Sequence, residues 1–259
     1  MRLCFIFLLV FSSLKAIDYY EGTNTFRGYG KVDLNWMIQF LPYNPIIVEA
    51  GAYAGPQALY AAQLWPKSRR IIAFEPNPTA FNELTANTQT PIEVYPLALN
   101  NYNGSATLYL NHGLWGNHPS CEQESSLLAP SPEMEVYYKG PIIPVPCVVL
   151  DDWCRENQID QIDILQLNLE GLELEVLQSS PNILKNTKII VFTSFFHSYR
   201  INMANYFSVK DFLVKSNFVP LAHWYTAGAR GMAVYISAEL YDAYFVRCLG
   251  LGLGGLLYP

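Results

Sequence analysis

Short aliphatic and β-branched runs alternate with stretches of helical spacing from Ile46 to Ile236. Ile46-Ile47-Val48 reads as a strand, and Pro56 can open the following helix, where its missing N–H leaves no bond unmade. Ala58, Leu59, Ala61, Ala62 and Leu64 give that helix its apolar positions before Pro66 stops it. Ile71–Phe74 is a second strand, a helix with Phe81 and Leu84 on one face begins near Pro78, and Ile92–Tyr95 is a third strand. Ala106–Leu110 alternates like a half-exposed strand. Val145–Leu150 is another strand, and Asp151 is expected to cap a short helix after it. Ile162–Leu169 and Thr187–Phe192 read as buried strands, with a helix opening at Leu172–Leu177 between them. A helix near Ser208–Lys215 then leads into a hairpin of Phe218–Tyr225 and Met232–Ile236. This alternation predicts an α/β fold: a mostly parallel sheet with helices on both faces, closed by an antiparallel edge hairpin.

Three segments break the pattern. Residues 111–146 are rich in Pro, Ser, Gly and Asn, and read as a long excursion over the active face rather than a separate domain. Residues 1–16 pair Arg2 with the apolar run Leu3–Phe11 and end in Ser12-Ser13-Leu14-Lys15-Ala16. That is the layout of a secretory signal, although a hydrophobic segment packed on the domain has the same composition. Export is expected if this leader is cleaved, and a cytoplasmic or membrane-associated protein otherwise. The Leu/Gly-rich tail Leu249–Leu257 is too short to span a bilayer, so no stable transmembrane span is expected. The resulting map is a leader at 1–16, a lead-in at 17–45, one domain at 46–240 and a tail at 241–259.

Composition narrows the partners. The 259 residues carry a formal net charge of -6 and no Lys/Arg block, which disfavours nucleic acid as a partner. Lys67, Arg69 and Arg70 are the densest basic spot and read as a solvated turn between helix and strand. Once the leader and Cys4 are set aside, Cys121, Cys147, Cys154 and Cys248 remain, an even number compatible with either disulfides or free thiols. Without CxxC pairs or clustered histidines, no metal site is expected.

The chemistry gathers at strand ends. The first strand runs into Glu49-Ala50-Gly51-Ala52-Tyr53-Ala54-Gly55, where glycines let the chain turn sharply and a ligand approach the backbone. Gly51 and Gly55 lack the middle glycine of the dinucleotide fingerprint. The second strand ends in Phe74-Glu75-Pro76-Asn77-Pro78. Its Glu75 lies at the tip where a carboxylate can accept both ribose hydroxyls, or can cap the next helix. The buried strand Asp163–Leu167 ends in Asn168-Leu169-Glu170-Gly171, which places Asn168 and Glu170 to meet a substrate or cofactor. Glu170 equally suits the N-terminus of the following helix.

The series IIVEAGAYAGPQALYAA, IIAFEPNPTAFNEL, PLALNNYNGSATLYL, VVLDDW and IDILQLNLEGLELEVL resembles the FkbM family of methyltransferases over roughly residues 45–195, with Ser125-Ser126-Leu127 resembling a further family segment. The resemblance implies a class I, Rossmann-like methyltransferase fold and S-adenosylmethionine as cofactor. It also implies an oxygen acceptor on a small molecule or glycan. On this alignment Glu49, Gly51, Ala52, Tyr53 and Gly55 form the cofactor loop, and Glu75, Pro76 and Asn77 the ribose site. The chain departs from the family pattern at Gln166, Asn168 and Thr193, the last where the family closes its strand with an acid, and Pro56 is also unusual. An amide cannot serve as a carboxylate base.

Methyl transfer requires chiefly that the donor carbon be held in line with the acceptor oxygen. Asn168, Glu170 and His197 are the catalytic candidates. His112 and His118 are further bases by residue type, and Tyr53, Trp115 and Tyr199 are aromatic residues that can line a pocket. The competing expectation is an exported, catalytically degenerate binding module on the same fold, since the methyl donor is made inside cells. A nicotinamide oxidoreductase is disfavoured by the glycine spacing. The sequence leaves the acceptor and the oligomeric state open.

Overall fold

A computed structural model describes residues 35–88, 92–113, 119–226 and 230–250. The leader, Trp115, His118 and residues 251–259 of the tail lie outside them, as does the side chain of Cys248. Seven strands form one sheet: β1 (Ile46–Ala50), β2 (Arg70–Phe74), β3 (Ile92–Tyr95), β7 (Ile162–Leu167), β8 (Thr187–Phe195), β9 (Phe218–Thr226) and β10 (Arg230–Ser237). Their order is β3-β2-β1-β7-β8-β10-β9, parallel from β3 to β8. The hairpin β9–β10 forms the edge as expected, with one refinement. β10 inserts antiparallel between β8 and β9, so β9 is the outer strand.

Helices α1 (Pro56–Leu64), α2 (Pro78–Asn87), α3 (Leu150–Glu156), α4 (Glu173–Ser179), α5 (Pro181–Lys185), α6 (Tyr206–Lys215) and α7 (Ala238–Gly250) cover both faces. On one face Trp153, Val176, Ile183 and Leu213 pack with Val48, Ile72, Ile190 and Ala233. The alternate residues Ile47, Ile71, Ile189 and Val234 are buried too. On both faces the parallel strands are shut off from water, which explains why they read as continuous apolar runs.

Several local expectations change. Asp151 lies in the first turn of α3 but does not cap it; its carboxylate accepts from the N–H groups of Asn182 and Ile183 and thereby caps α5, which the sequence pattern does not reveal. The half-exposed strand β5 (Gly104–Tyr109) and β6 (Ile142–Val148) do not join the main sheet. With β4 (Ala98–Leu99) they form a separate three-stranded sheet in the order β4-β6-β5, from which the excursion hangs. Arg70 is not a solvated turn residue: it opens β2 and pairs with Glu93 at 2.6 Å. Cys121, Cys147 and Cys154 are free thiols. Among the described residues no helix is long and apolar enough to cross a membrane.

Trp153 packs edge-on against both Phe74 and Tyr95, with ring centroids 4.8 and 5.0 Å away. Trp153→Ala is expected to cost about 3–5 kcal/mol of stability, measured as a lower urea midpoint with an unchanged slope.

Candidate functional site

Where β1 and β7 end side by side, the chain leaves in opposite directions to α1 and α4, and the crevice between the departing loops is the natural ligand position in an open α/β sheet. Gly51 makes that crevice possible. Its φ is 75°, and a Cβ there would sit 2.0 Å from the carbonyl oxygen of Asn168. Gly55, at φ 82°, serves a different purpose: a Cβ there would meet Leu84 Cδ1 at 2.2 Å, so its absence lets α1 and α2 close together. Ala52 is buried in the loop, and the backbone of Tyr53 is left-handed at φ 50°.

Glu75 organises the loop. Its carboxylate accepts from the N–H of Tyr53 at 2.6 Å and from the N–H of Asn77 at 2.8 Å. Burial lifts its pKa to about 7, opposed by those two backbone bonds, with the neighbouring Glu122 adding to the rise. Glu49 is buried in β1, where desolvation lifts it to about 8 against a hydrogen bond from the Ala58 backbone, and its Oε2 has no hydrogen-bond partner. Asn77 caps α2 through Thr79 N–H and donates its amide to Glu122 Oε2 at 2.7 Å. Gly51, Tyr53, Glu75 and Pro76 line one side of a shallow cleft open to solvent. Leu97, Leu99, Leu108 and Leu127 give it apolar walls, and Glu122 and Ser126 reach it from the excursion.

The structure separates the three catalytic candidates. Asn168 lines the cleft, and its Oδ1 accepts from Thr193 Oγ1 at 2.5 Å, so two of the departures from the family pattern are partners. Glu170 turns away from the cleft with φ 54° and forms a buried ion pair with Arg230, which also meets Glu124 at 3.2 Å. His197 is exposed and outside the cleft lining. Tyr199 packs edge-on against Phe195, also outside it. His112 Nε2 lies 3.0 Å from Glu122 Oε1 without the geometry of a directed hydrogen bond.

Other contributors carry weaker signals in the sequence. Glu173, not Glu170, serves the start of α4: its carboxylate accepts from Leu169 N–H at 2.9 Å and Gly171 N–H at 3.0 Å. Burial lifts it to about 8. The ELEVL stretch contains Glu173, but spacing alone does not separate its role from that of Glu170. Arg200 donates to the carbonyls of Glu124 and Leu128 and lies 4.5 Å over the Tyr138 ring, tying the excursion to the strand ends. Glu122, Arg200 and Arg230 come from segments without periodicity, and only the folded chain brings them to this end of the sheet.

The Methyltransferase FkbM domain model matches residues 49–220. The chain belongs to the FkbM methyltransferase family. It is 27% identical to the 2-O-methyltransferase NoeI of Sinorhizobium fredii over 154 residues, covering 57% of this chain and 62% of that protein. Over 122 residues it is 25% identical to the hexuronic acid methyltransferase AglP of Haloferax volcanii, covering 47% of this chain and 45% of that protein. The matched segment thus spans less than two thirds of either relative. The FkbM methyltransferase structure from Methylobacillus flagellatus superposes with a TM-score of 0.49 at 11% identity, over 75% of this chain and 44% of that one.

The buried acids of this FkbM site set a pH dependence. Glu49, Glu75 and Glu173 have folded pKa values raised to about 8, 7 and 8. A carboxylate whose pKa is raised by folding stabilises the native state fully below its unfolded value near 4.5, and that contribution is lost as pH rises through the folded pKa. The ligand-free protein is therefore expected to lose thermal stability as pH rises from about 4.5 to about 8 and to level off above that. Melting temperatures across that range provide the check, and a flat profile contradicts the assignment.

Proposed function

We propose that the protein transfers a methyl group from S-adenosylmethionine to a hydroxyl oxygen of a sugar or another small molecule. The observation that carries this reading is Glu75: a buried carboxylate at the tip of β2, oriented by two backbone N–H groups and facing the cleft beside Gly51. Such an acid accepts from vicinal ribose hydroxyls and rejects a 2′-phosphate. Leu97, Leu99 and Leu108 offer an apolar wall suited to a purine. The donor would supply an activated methyl on a sulfonium: the acceptor oxygen would bond to that carbon as the carbon–sulfur bond breaks, the thioether would leave with the bonding pair, and the acceptor proton would pass to solvent.

Asn168 is the polar residue best placed toward the acceptor. With its carbonyl oxygen engaged by Thr193, its amide NH₂ can donate to an acceptor oxygen and orient it, but cannot remove its proton. The name of NoeI specifies an oxygen acceptor and that of AglP a hexuronic acid, which together support an oxygen of a sugar as the acceptor. The alternative, a degenerate binding module, draws on the same neutral rim, because Glu170 is committed to Arg230.

Isothermal titration of S-adenosylmethionine and S-adenosylhomocysteine into the protein tests the reading. Saturable binding is expected, weakened at least about tenfold by Glu75→Ala, a loss of about 1.4 kcal/mol. Absence of binding by folded protein removes the enzyme reading. Binding without methyl incorporation into hexose or uronic acid acceptors favours the module. The leader at 1–16 adds the proposal that the mature chain starts near Ile17. Its intact mass tests this, and a full-length mass removes export.

A further inference from the structure

The cleft is charged on one side only. Glu75 and Glu122 line it, and no lysine, arginine or histidine does so among the described residues. Arg200 and Arg230 are held by the excursion and Glu170 rather than by the cleft. Glu122 is not a passing surface acid. It is 8% exposed within the short 3-10 turn Pro119–Glu124; its Oε2 accepts from Asn77 Nδ2 at 2.7 Å, and His112 Nε2 lies 3.0 Å from its Oε1 without a directed hydrogen bond. Asn77 is itself fixed as the cap of α2. Asn77, distant in sequence, therefore helps to aim this carboxylate at the site.

A sulfonium methyl donor and the thioether it becomes share the same nucleoside and amino acid, and differ by one methyl group and one positive charge on sulfur. Hydrogen bonds to the ribose cannot tell them apart, whereas a fixed charge in a half-enclosed cleft can, because screening there is weaker than in water. We infer that Glu122, contributed by the excursion, makes the cleft selective for the cationic methyl donor over its neutral demethylated product. Loss of the methyl group then weakens the hold on what remains, and product leaves without a conformational step. This inference rests on the proposed cofactor reading and assigns Glu122 a specificity role within it.

Titration calorimetry at low salt, with S-adenosylmethionine and S-adenosylhomocysteine as ligands, tests it on the unmodified protein and on Glu122→Gln. Glutamine keeps the shape and can still accept from Asn77. The unmodified protein is expected to prefer the donor by about tenfold, a difference of about 1.4 kcal/mol. Added salt should erode that preference. In Glu122→Gln the preference should fall below about threefold, while product affinity changes by less than about twofold. Sinefungin, with an amine in the place of the methyl group, gives a readout that needs no variant: it should bind the unmodified protein like the donor rather than like the product. Equal affinity of the unmodified protein for donor and product, or equal loss of both in Glu122→Gln, overturns the inference and leaves the cofactor reading standing. Failure of all three ligands to bind overturns the cofactor reading and the inference with it.

Discussion

The structure turns on the contact between Gly51 and the Asn168 carbonyl. Two neighbouring parallel strands end there, and their chains must part in opposite directions within one or two residues. With a side chain at 51 the backbone of β1 could not pass the end of β7, since its Cβ would lie 2.0 Å from that oxygen. Positive φ at Gly51, Tyr53, Glu170 and Gly171 clusters around this one point. Strain of that kind persists only where surrounding bonds over-determine it. Here Gly51 and Ala52 both donate to the Phe74 carbonyl, and Asn168 N–H donates to the Ala50 carbonyl.

What holds the parted loops is a set of buried carboxylates, each closing a backbone turn. Glu75 binds the N–H groups of Tyr53 and Asn77, and Glu173 those of Leu169 and Gly171. Amide donors left without partners at buried turns cost about as much as a lost hydrogen bond, so these acids stabilise the loops locally even though burying them works against their charge. One of these acids, Glu75, also lines the cleft. Loop architecture and ligand electrostatics are therefore one property: a substitution that neutralises Glu75 removes both the loop's anchor and part of its field.

The main sheet was legible in the sequence because each parallel strand is buried on both faces and announces itself as an unbroken apolar run. The acid at the tip of β2 was legible for a related reason, since Glu75 directly follows a recognisable strand end. Local periodicity carries no information about contacts that close over long separations. Glu122 reaches Asn77 across 45 residues, and Arg230 reaches Glu124 across 106. Asp151 shows the limit from the other side. It sits where an N-cap is expected, yet α5 lies close enough to take its carboxylate. Glu170 and Glu173 could not be told apart by type or spacing, because which of them turns inward depends on the left-handed backbone at 170.

The arrangement of charge also bears on how this rim can act. Glu170, the carboxylate nearest in sequence to Asn168, is engaged by Arg230, and removing either partner would strand a buried charge at a cost of several kcal/mol. Arg230 also holds Glu124, so that pairing helps to keep the excursion in place over the cleft. The polar residue that this strand end brings to the cleft is then Asn168, neutral and bonded to a neutral threonine. A rim built this way can orient an acceptor and exclude a competing geometry, but it has little to offer as a proton acceptor. Any rate enhancement it provides comes from placing two reactants in line, for which effective molarities of about 10⁵ M and above are attainable. An acceptor whose hydroxyl is already acidified by its own substituents therefore suits this rim better than an ordinary alcohol.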